Sequence, residues 1–125
     1  MFPTLLQVAL GGAIGATLRY LTGYYAAAWL GRGFPWGTLA VNLIGSALMG
    51  LLYVVLVEKA GARLAPFLLA GVLGGFTTFS AFSLDAFALF ESGRRVLAGA
   101  YVLGSVAGAL AGLAVGIFAT RAALG

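Results

Sequence analysis

The sequence predicts an all-α integral membrane protein in which four helices of one domain, residues 1–125, cross the bilayer. Of its 125 residues, 62% are hydrophobic and only 8% are charged, and the mean hydropathy is +1.09. A soluble domain cannot bury that much apolar surface. The charged residues are also concentrated in short segments that separate four apolar runs, so the chain has room for four spans and for no soluble domain.

Each apolar run is long enough to cross a hydrocarbon core of ~30 Å. Turn residues such as Gly31, Gly33 and Pro35 mark the first loop, and Glu58 and Glu91 mark the second and third loops. The predicted spans are Leu5–Leu30, Trp36–Val57, Ala65–Phe90 and Val96–Ala119.

The third span carries a sequence that is unfavourable for a continuous helix. It reads Gly74-Gly75-Phe76-Thr77-Thr78-Phe79-Ser80-Ala81-Phe82, and both Gly and β-branched Thr are weak helix formers. We therefore expect a break near Thr77, with Gly74-Gly75 freed from helical bonding. Irregular backbone at membrane depth is tolerated only where it is buried in protein or lines a wet cavity, and its freed carbonyls often coordinate ions. A kinked, well-packed helix without a site is the alternative.

The basic residues give no preferred orientation in the membrane. Three of them, Lys59, Arg63 and Arg121, belong to the second loop and the C-terminus, and three others lie in the first and third loops: Arg32, Arg94 and Arg95. An equal count on both sides gives no positive-inside bias. Two oppositely inserted copies could therefore pair as an antiparallel dimer, or features other than charge could fix one orientation.

Small residues recur every four positions in two spans. The glycines of span four are Gly104, Gly108, Gly112 and Gly116, and span one repeats the pattern with Gly11 and Gly15. Such seams let helices approach closely, so we expect a tight bundle with little room for a large substrate.

Polar side chains form stripes on the predicted helices. Thr38, Asn42 and Ser46 share one face of span two, and Tyr101 and Ser105 share one face of span four. In the second half of span three, the side chains that fall within about 160° of one another are Phe82, Phe79, Ser83 and Ser80. Asn42 is the most informative of these residues, because a carboxamide in hydrocarbon needs polar partners.

The available chemistry favours a small anion. The chain has no cysteine and no histidine, which excludes disulfides, the usual zinc ligands and histidine proton relays. Asp85 is the only acid well inside a span, whereas cation pathways usually carry carboxylates. Hydroxyl and amide groups donate hydrogen bonds to anions, and the rim of a phenyl ring is its positive side. A narrow lining of this kind suits a small, strongly hydrated anion.

The same motifs resemble the Fluc (CrcB) family of fluoride channels, and the resemblance covers essentially the whole chain. The matching segments are Gly11–Ala16 with Arg19-Tyr20, Gly37–Gly45, Gly74–Phe82, and Tyr101 with Ser105. The sequence departs from the family pattern at Ala81, where members often have Thr, and at Ala109, where some have Ser.

The resemblance implies a multi-pass protein of the cytoplasmic membrane that exports fluoride passively and reduces fluoride toxicity. It implies a dual-topology homodimer with two antiparallel pores and one structural sodium ion, held on the two-fold axis by backbone carbonyls of Gly74 and Thr77. The implied pore residues are Phe79 and Phe82 at the ion path, Asn42 as the pore asparagine, and Ser80, Tyr101 and Ser105 as hydroxyls of a polar track. Thr38 joins them because it shares a stripe with Asn42.

Two other kinds of function remain open. A small proton-coupled multidrug exporter can also be a four-span dimer, but its mechanism needs a carboxylate at the midplane, and Asp85 is expected to follow the break rather than lie in a binding chamber. An accessory membrane subunit without transport activity is the third possibility. Neither an enzyme nor a nucleic-acid-binding protein is expected.

Overall fold

The computed structural model describes residues 1–59 and 61–125, and within this part of the chain all regular structure is helical. The α-helices are α1 Phe2–Leu30, α2 Trp36–Tyr53, α3 Gly74–Phe76, α4 Ser80–Glu91 and α5 Arg95–Leu124. A wide-turned π-helical segment, Val54–Lys59, extends α2, and a second one, Pro66–Leu73, leads into α3. A short 3₁₀ turn lies between them at Ala62–Leu64.

Glycine and proline set the helix boundaries that the sequence indicated. Pro3 lies in the first turn of α1, and Gly31, at φ 83°, ends that helix. Gly93, at φ 88°, ends α4 in a Schellman arrangement. In that arrangement the Gly93 N–H donates to the Phe90 carbonyl at 3.2 Å and the Arg94 N–H donates to the Leu89 carbonyl at 3.1 Å. These compact ends keep the connections between the helices short.

Three helical stretches of the described residues are long and apolar enough to cross a membrane: Trp36–Lys59, Ala62–Glu91 and Arg95–Leu124. Helix α1 is 29 residues long, but Gln7 and Arg19 make it less apolar than the other three. The chain is thus an all-helical, multi-pass membrane protein.

Close approach through glycine holds the bundle together. Helix α2 packs mainly against α5, and α1 packs mainly against the second π-helical segment. A side chain at Gly116 would collide with the Ala47 carbonyl, and one at Gly11 would come within 2.9 Å of Gly71 Cα. Of the predicted seam on α5, Gly108, Gly112 and Gly116 face α2, whereas Gly104 has open space around it.

The break in the third span lies at Thr77, where the sequence predicted it, and not at Gly74-Gly75. Gly74 and Gly75 are helical, and the chain becomes extended at Thr77, with φ −83° and ψ 159°, before α4 begins at Ser80. The expectation that Gly74-Gly75 itself unwinds is wrong. At Gly75 a small residue is needed because α1 lies directly against it, since a Cβ there would come within 2.7 Å of the Gly12 carbonyl.

Candidate functional site

Asn42 of α2 forms two hydrogen bonds with the backbone of Thr78, in the break of the third span. Its Nδ2 donates to the Thr78 carbonyl at 3.0 Å, and the Thr78 N–H donates to its Oδ1 at 2.9 Å. The side chain thus replaces the helical partners that Thr78 loses in the break. The need of Asn42 for polar partners was predicted, and its choice of the Thr78 backbone was not.

The carbonyls of Gly74 and Thr77 are among those that lose their helical donors at the break. In a continuous helix the Thr78 N–H would donate to Gly74 and the Ala81 N–H would donate to Thr77. Here the Thr78 N–H goes to Asn42, and the Ala81 N–H goes to Thr78 Oγ1 at 3.1 Å. The carbonyls of Gly74 and Thr77 are therefore available for another partner.

Arg19 of α1 binds the Gly75 carbonyl, which lies between Gly74 and Thr77 in the sequence. Its Nε donates to the Gly75 carbonyl at 3.1 Å, so a cationic side chain lies at the C-terminal end of α3. A cation there interacts favourably with the exposed carbonyls of a helix end. This contact was not predicted, because the only sign of it in the sequence is an arginine inside an apolar run.

A cavity of about 300 Å³ beside the break brings together several of the predicted pore residues. Its walls come from α2, the break, α4 and α5, and they include Asn42, Ser46, Phe79, Phe82 and Ser105. Ala109 lies on the same wall, so the hydroxyl track of α5 stops there after Ser105.

The Ser105 hydroxyl is buried without a partner. The residue is 5% exposed, and Oγ is the one buried side-chain polar atom among the described residues that has no hydrogen bond. An unpaired buried hydroxyl costs about 1–3 kcal/mol. Its position on the cavity wall leaves that hydroxyl free to bind a solute.

Two phenylalanines flank the cavity in very different environments. Phe82 is 8% exposed and packs against Tyr101, with ring centroids 5.3 Å apart. Phe79 lies 5.5 Å from Phe82 but is 76% exposed in the single chain. One ring is therefore part of the core, and the other projects from it.

Thr38 and Tyr101 lie on the other side of Phe82, where they bind Asp85. Thr38 Oγ1 donates to Asp85 Oδ2 at 2.7 Å, and the Tyr101 hydroxyl lies 3.5 Å from the same oxygen. Asp85 and Thr38 also line a second cavity of about 350 Å³, next to the first and third loops. Asp85 follows the break, as expected, and the turn of α4 that carries it lies opposite α2.

The remaining predicted residues lie away from the first cavity. Ser80 is exposed, and its hydroxyl is 3.4 Å from that of Thr78. Ser83 bonds back to the Phe79 carbonyl at 3.0 Å, as serines in helices often do. The common face predicted for these serines and phenylalanines is therefore divided, with the rings at the cavity and the serines outside it.

The chain was compared with known proteins. The family model described as CrcB-like protein, Camphor Resistance (CrcB), matches residues 6–117. The chain belongs to the CrcB family. The match includes the break, the cavity beside it and both partners of Asp85, so the site described above lies within the CrcB domain.

Relatives in the CrcB family are similar over almost their entire length. A protein of Cereibacter sphaeroides named "Fluoride-specific ion channel FluC" is 59% identical over 121 residues, which cover 97% of each chain. Proteins with the same name in Ruegeria sp. and Paracoccus denitrificans are 52% and 55% identical. The first covers 99% of both chains, and the second covers 90% of this chain and 94% of the relative.

Proposed function

We propose that this CrcB protein is a fluoride-selective ion channel of the cell membrane that lets fluoride leave the cell passively and thereby reduces its toxicity. The names of its relatives support this proposal. The observation that carries it is the unpartnered Ser105 hydroxyl on the wall of a cavity shared with Asn42, Phe79 and Phe82.

The cavity wall offers the chemistry that a small anion needs. Ser105 can donate its proton, and Asn42 Nδ2 keeps one N–H after binding the Thr78 carbonyl. The positive rims of the Phe79 and Phe82 rings attract an anion weakly. The same rings are apolar, so they offer no water-like groups to a larger hydrated solute. Fixed neutral donors compensate a desolvated fluoride ion without holding it so firmly that it cannot leave.

The working channel is an antiparallel homodimer of four-span chains with two pores. Helix α1, at 29 residues, has the length to span a bilayer, and its Arg19 has a partner at the break. Phe79 is 76% exposed and lines a cavity that is open in the single chain, so a second copy would complete the wall. The equal basic counts of the two faces permit the opposite insertion that this pairing needs.

A structural sodium ion fits the break. The carbonyls of Gly74 and Thr77 have lost their helical donors, and neutral oxygens are suitable ligands for a hard cation. One chain supplies two such carbonyls, and a two-fold axis doubles that set. The ion would supply positive charge that holds the two breaks together, and no acidic side chain is needed for it.

Asp85 is the observation that would favour a proton-coupled exporter, because it lines a cavity. Its Oδ2 already accepts a hydrogen bond from Thr38 at 2.7 Å, which holds the carboxylate in place. An exporter would carry organic cations and respond to a proton gradient, whereas the channel would do neither. An accessory subunit would show no loss of function when Asn42 and Phe82 are changed to Ala.

Growth in fluoride tests the proposal. In a bacterial host that lacks its own fluoride exporters, the chain should restore growth at fluoride concentrations that stop the host. The double variant Asn42→Ala, Phe82→Ala, expressed to the same level, should not. Equal growth with and without the wild-type chain would contradict the proposal.

A further inference from the structure

The second cavity, of about 350 Å³, lies at the membrane face formed by the first and third loops. It opens beside the start of α2, the end of α4 and the start of α5, which are the ends of the three helices apolar enough to span a bilayer. Trp36 lines it, and Trp29, 79% exposed, lies nearby in sequence. Tryptophan at a helix end marks the level of the lipid headgroups.

Two arginines border this cavity, and neither has an acidic partner. Arg32 comes from the first loop and Arg94 from the third. Within residues 1–59 and 61–125 the only ion pair joins Arg121 to Glu58. Asp85 lies in the same lining, but its Oδ2 is engaged by Thr38. The cavity therefore carries a net positive charge at the level of the headgroups.

Arg94 is held in place before any ligand arrives. Its Nη1 donates to the Gly33 carbonyl at 2.6 Å, which ties the third loop to the first. The guanidinium has five N–H donors, so four remain for a ligand. A pre-organised arginine loses less conformational entropy when it binds a phosphate group.

The wall of the cavity suits a lipid better than a free ion. Gly23 and Ala27 of α1 and Gly31 just after it form one side at a spacing of four residues, and Ala88 of α4 contributes to the lining as well. This surface is smooth and apolar, so a glycerol backbone and the first carbons of an acyl chain can lie on it. The arginines are confined to the loops, where the phosphate of such a lipid would lie.

We propose that this cavity binds an anionic phospholipid, with its phosphate between Arg32 and Arg94 and its glycerol end along α1. Basic pockets between membrane helices bind acidic headgroups, at about 1 kcal/mol for each Lys or Arg near the surface. The site is separate from the first cavity, because none of Asn42, Phe79, Phe82 and Ser105 lines it.

Lipid titration followed by native mass spectrometry tests the site. The purified protein is titrated with phosphatidylglycerol or with phosphatidylcholine, and bound lipids are counted. Wild type should prefer phosphatidylglycerol, and Arg94→Gln and Arg32→Gln should each weaken that binding about fivefold. Arg95→Gln is the matched control, because Arg95 stacks over Phe90, 4.9 Å from its ring centre, and does not line the cavity. It should change the affinity by less than about twofold.

Several outcomes would overturn the proposal. Equal affinity for the two lipids, or an equal loss in Arg95→Gln, would mean that the surface attracts lipid only diffusely. Full displacement of bound phosphatidylglycerol by inorganic phosphate would identify a free-anion site instead. Arg32→Gln guards against a folding defect in Arg94→Gln, because among residues 1–59 and 61–125 the Arg32 side chain has no hydrogen-bond partner that its replacement would lose. Thermal midpoints without lipid provide the check.

Discussion

Asn42 binds both backbone groups of Thr78, with hydrogen bonds of 3.0 and 2.9 Å, and so fixes the point at which the third span leaves the helix. Helix α2 thereby controls the conformation of a break that belongs to a different span. The same Asn42 side chain lines the cavity beside Phe79 and Phe82. The Asn42 carboxamide therefore both binds the backbone of the break and lines the cavity.

Replacing Asn42 by Ala should lower fluoride flux at least tenfold. A lost donor to the anion costs about 1.5–3 kcal/mol at a tight point, and the loss of the Thr78 contacts adds to it. Asn42→Asp keeps an acceptor for the Thr78 N–H but sets a carboxylate oxygen against the Thr78 carbonyl and a negative charge at the cavity, so it should conduct poorly as well. Thr17→Ala is the control, because Thr17 bonds back to Ala13 on α1. Normal flux through a folded Asn42→Ala channel would show that Asn42 serves packing alone.

Replacing Ser105 by Ala should separate stability from conduction. Its buried hydroxyl has no partner, so its removal should leave the free energy of unfolding unchanged or raise it by up to about 1 kcal/mol. Flux should fall about tenfold, because a hydrogen bond to a charged ligand is lost. Ser83→Ala is the control, since Ser83 donates to the Phe79 carbonyl. Unchanged flux in Ser105→Ala would remove Ser105 from the ion path.

Cysteine labelling should detect both orientations of the chain. Gly33→Cys in the first loop and Ala62→Cys in the second leave every basic residue intact, and the natural chain contains no cysteine. Each position should react with a membrane-impermeant thiol reagent from both sides of the cell membrane. Labelling of each site from one side only would rule out the antiparallel assembly.

Sodium should stabilise the dimer by mass action, with a thermal midpoint that rises with sodium concentration in the absence of fluoride. Thr77→Ala should keep much of this effect, because the proposed ligand is the carbonyl and the Thr77 hydroxyl already donates to Leu73 at 2.9 Å. The comparison uses a large organic cation at equal ionic strength. A midpoint that is the same in both salts would eliminate the central cation.

The helical architecture was predictable because hydrophobicity and turn residues act locally. Gly31 lies at the end of α1, where the sequence predicts the first loop, and Gly93 lies at the end of α4, next to the predicted third loop. The break was predicted near Thr77 and lies there, but Gly74-Gly75 was also expected to unwind, because these glycines were interpreted by helix propensity alone. In the structure both are helical, Gly75 serves close packing against α1, and a tertiary contact from Asn42 binds the backbone of Thr78 just after the helix stops.

Only part of the candidate site was predicted, because its local spacing is visible in the sequence and its tertiary contacts are not. Spacing indicated that Asn42 and Ser46 share one face of α2, and both line the cavity. Phe82, which the family resemblance implied at the ion path, lines the same cavity. Spacing could not show that Thr38, on the same stripe, would turn to Asp85, because that contact joins residues 47 positions apart. The contact of Arg19 with the Gly75 carbonyl could not be predicted either, because the two residues lie 56 positions apart in the sequence.

Ion efflux from liposomes tests the central claim most directly. Purified protein is reconstituted at about one dimer per vesicle or fewer, and vesicles loaded with fluoride or with chloride are diluted into an impermeant salt with a potassium carrier present. A fluoride channel should empty the fluoride-loaded vesicles that contain protein and leave the chloride in place. Equal efflux of the two ions, or fluoride efflux no faster than from protein-free vesicles, would contradict the account.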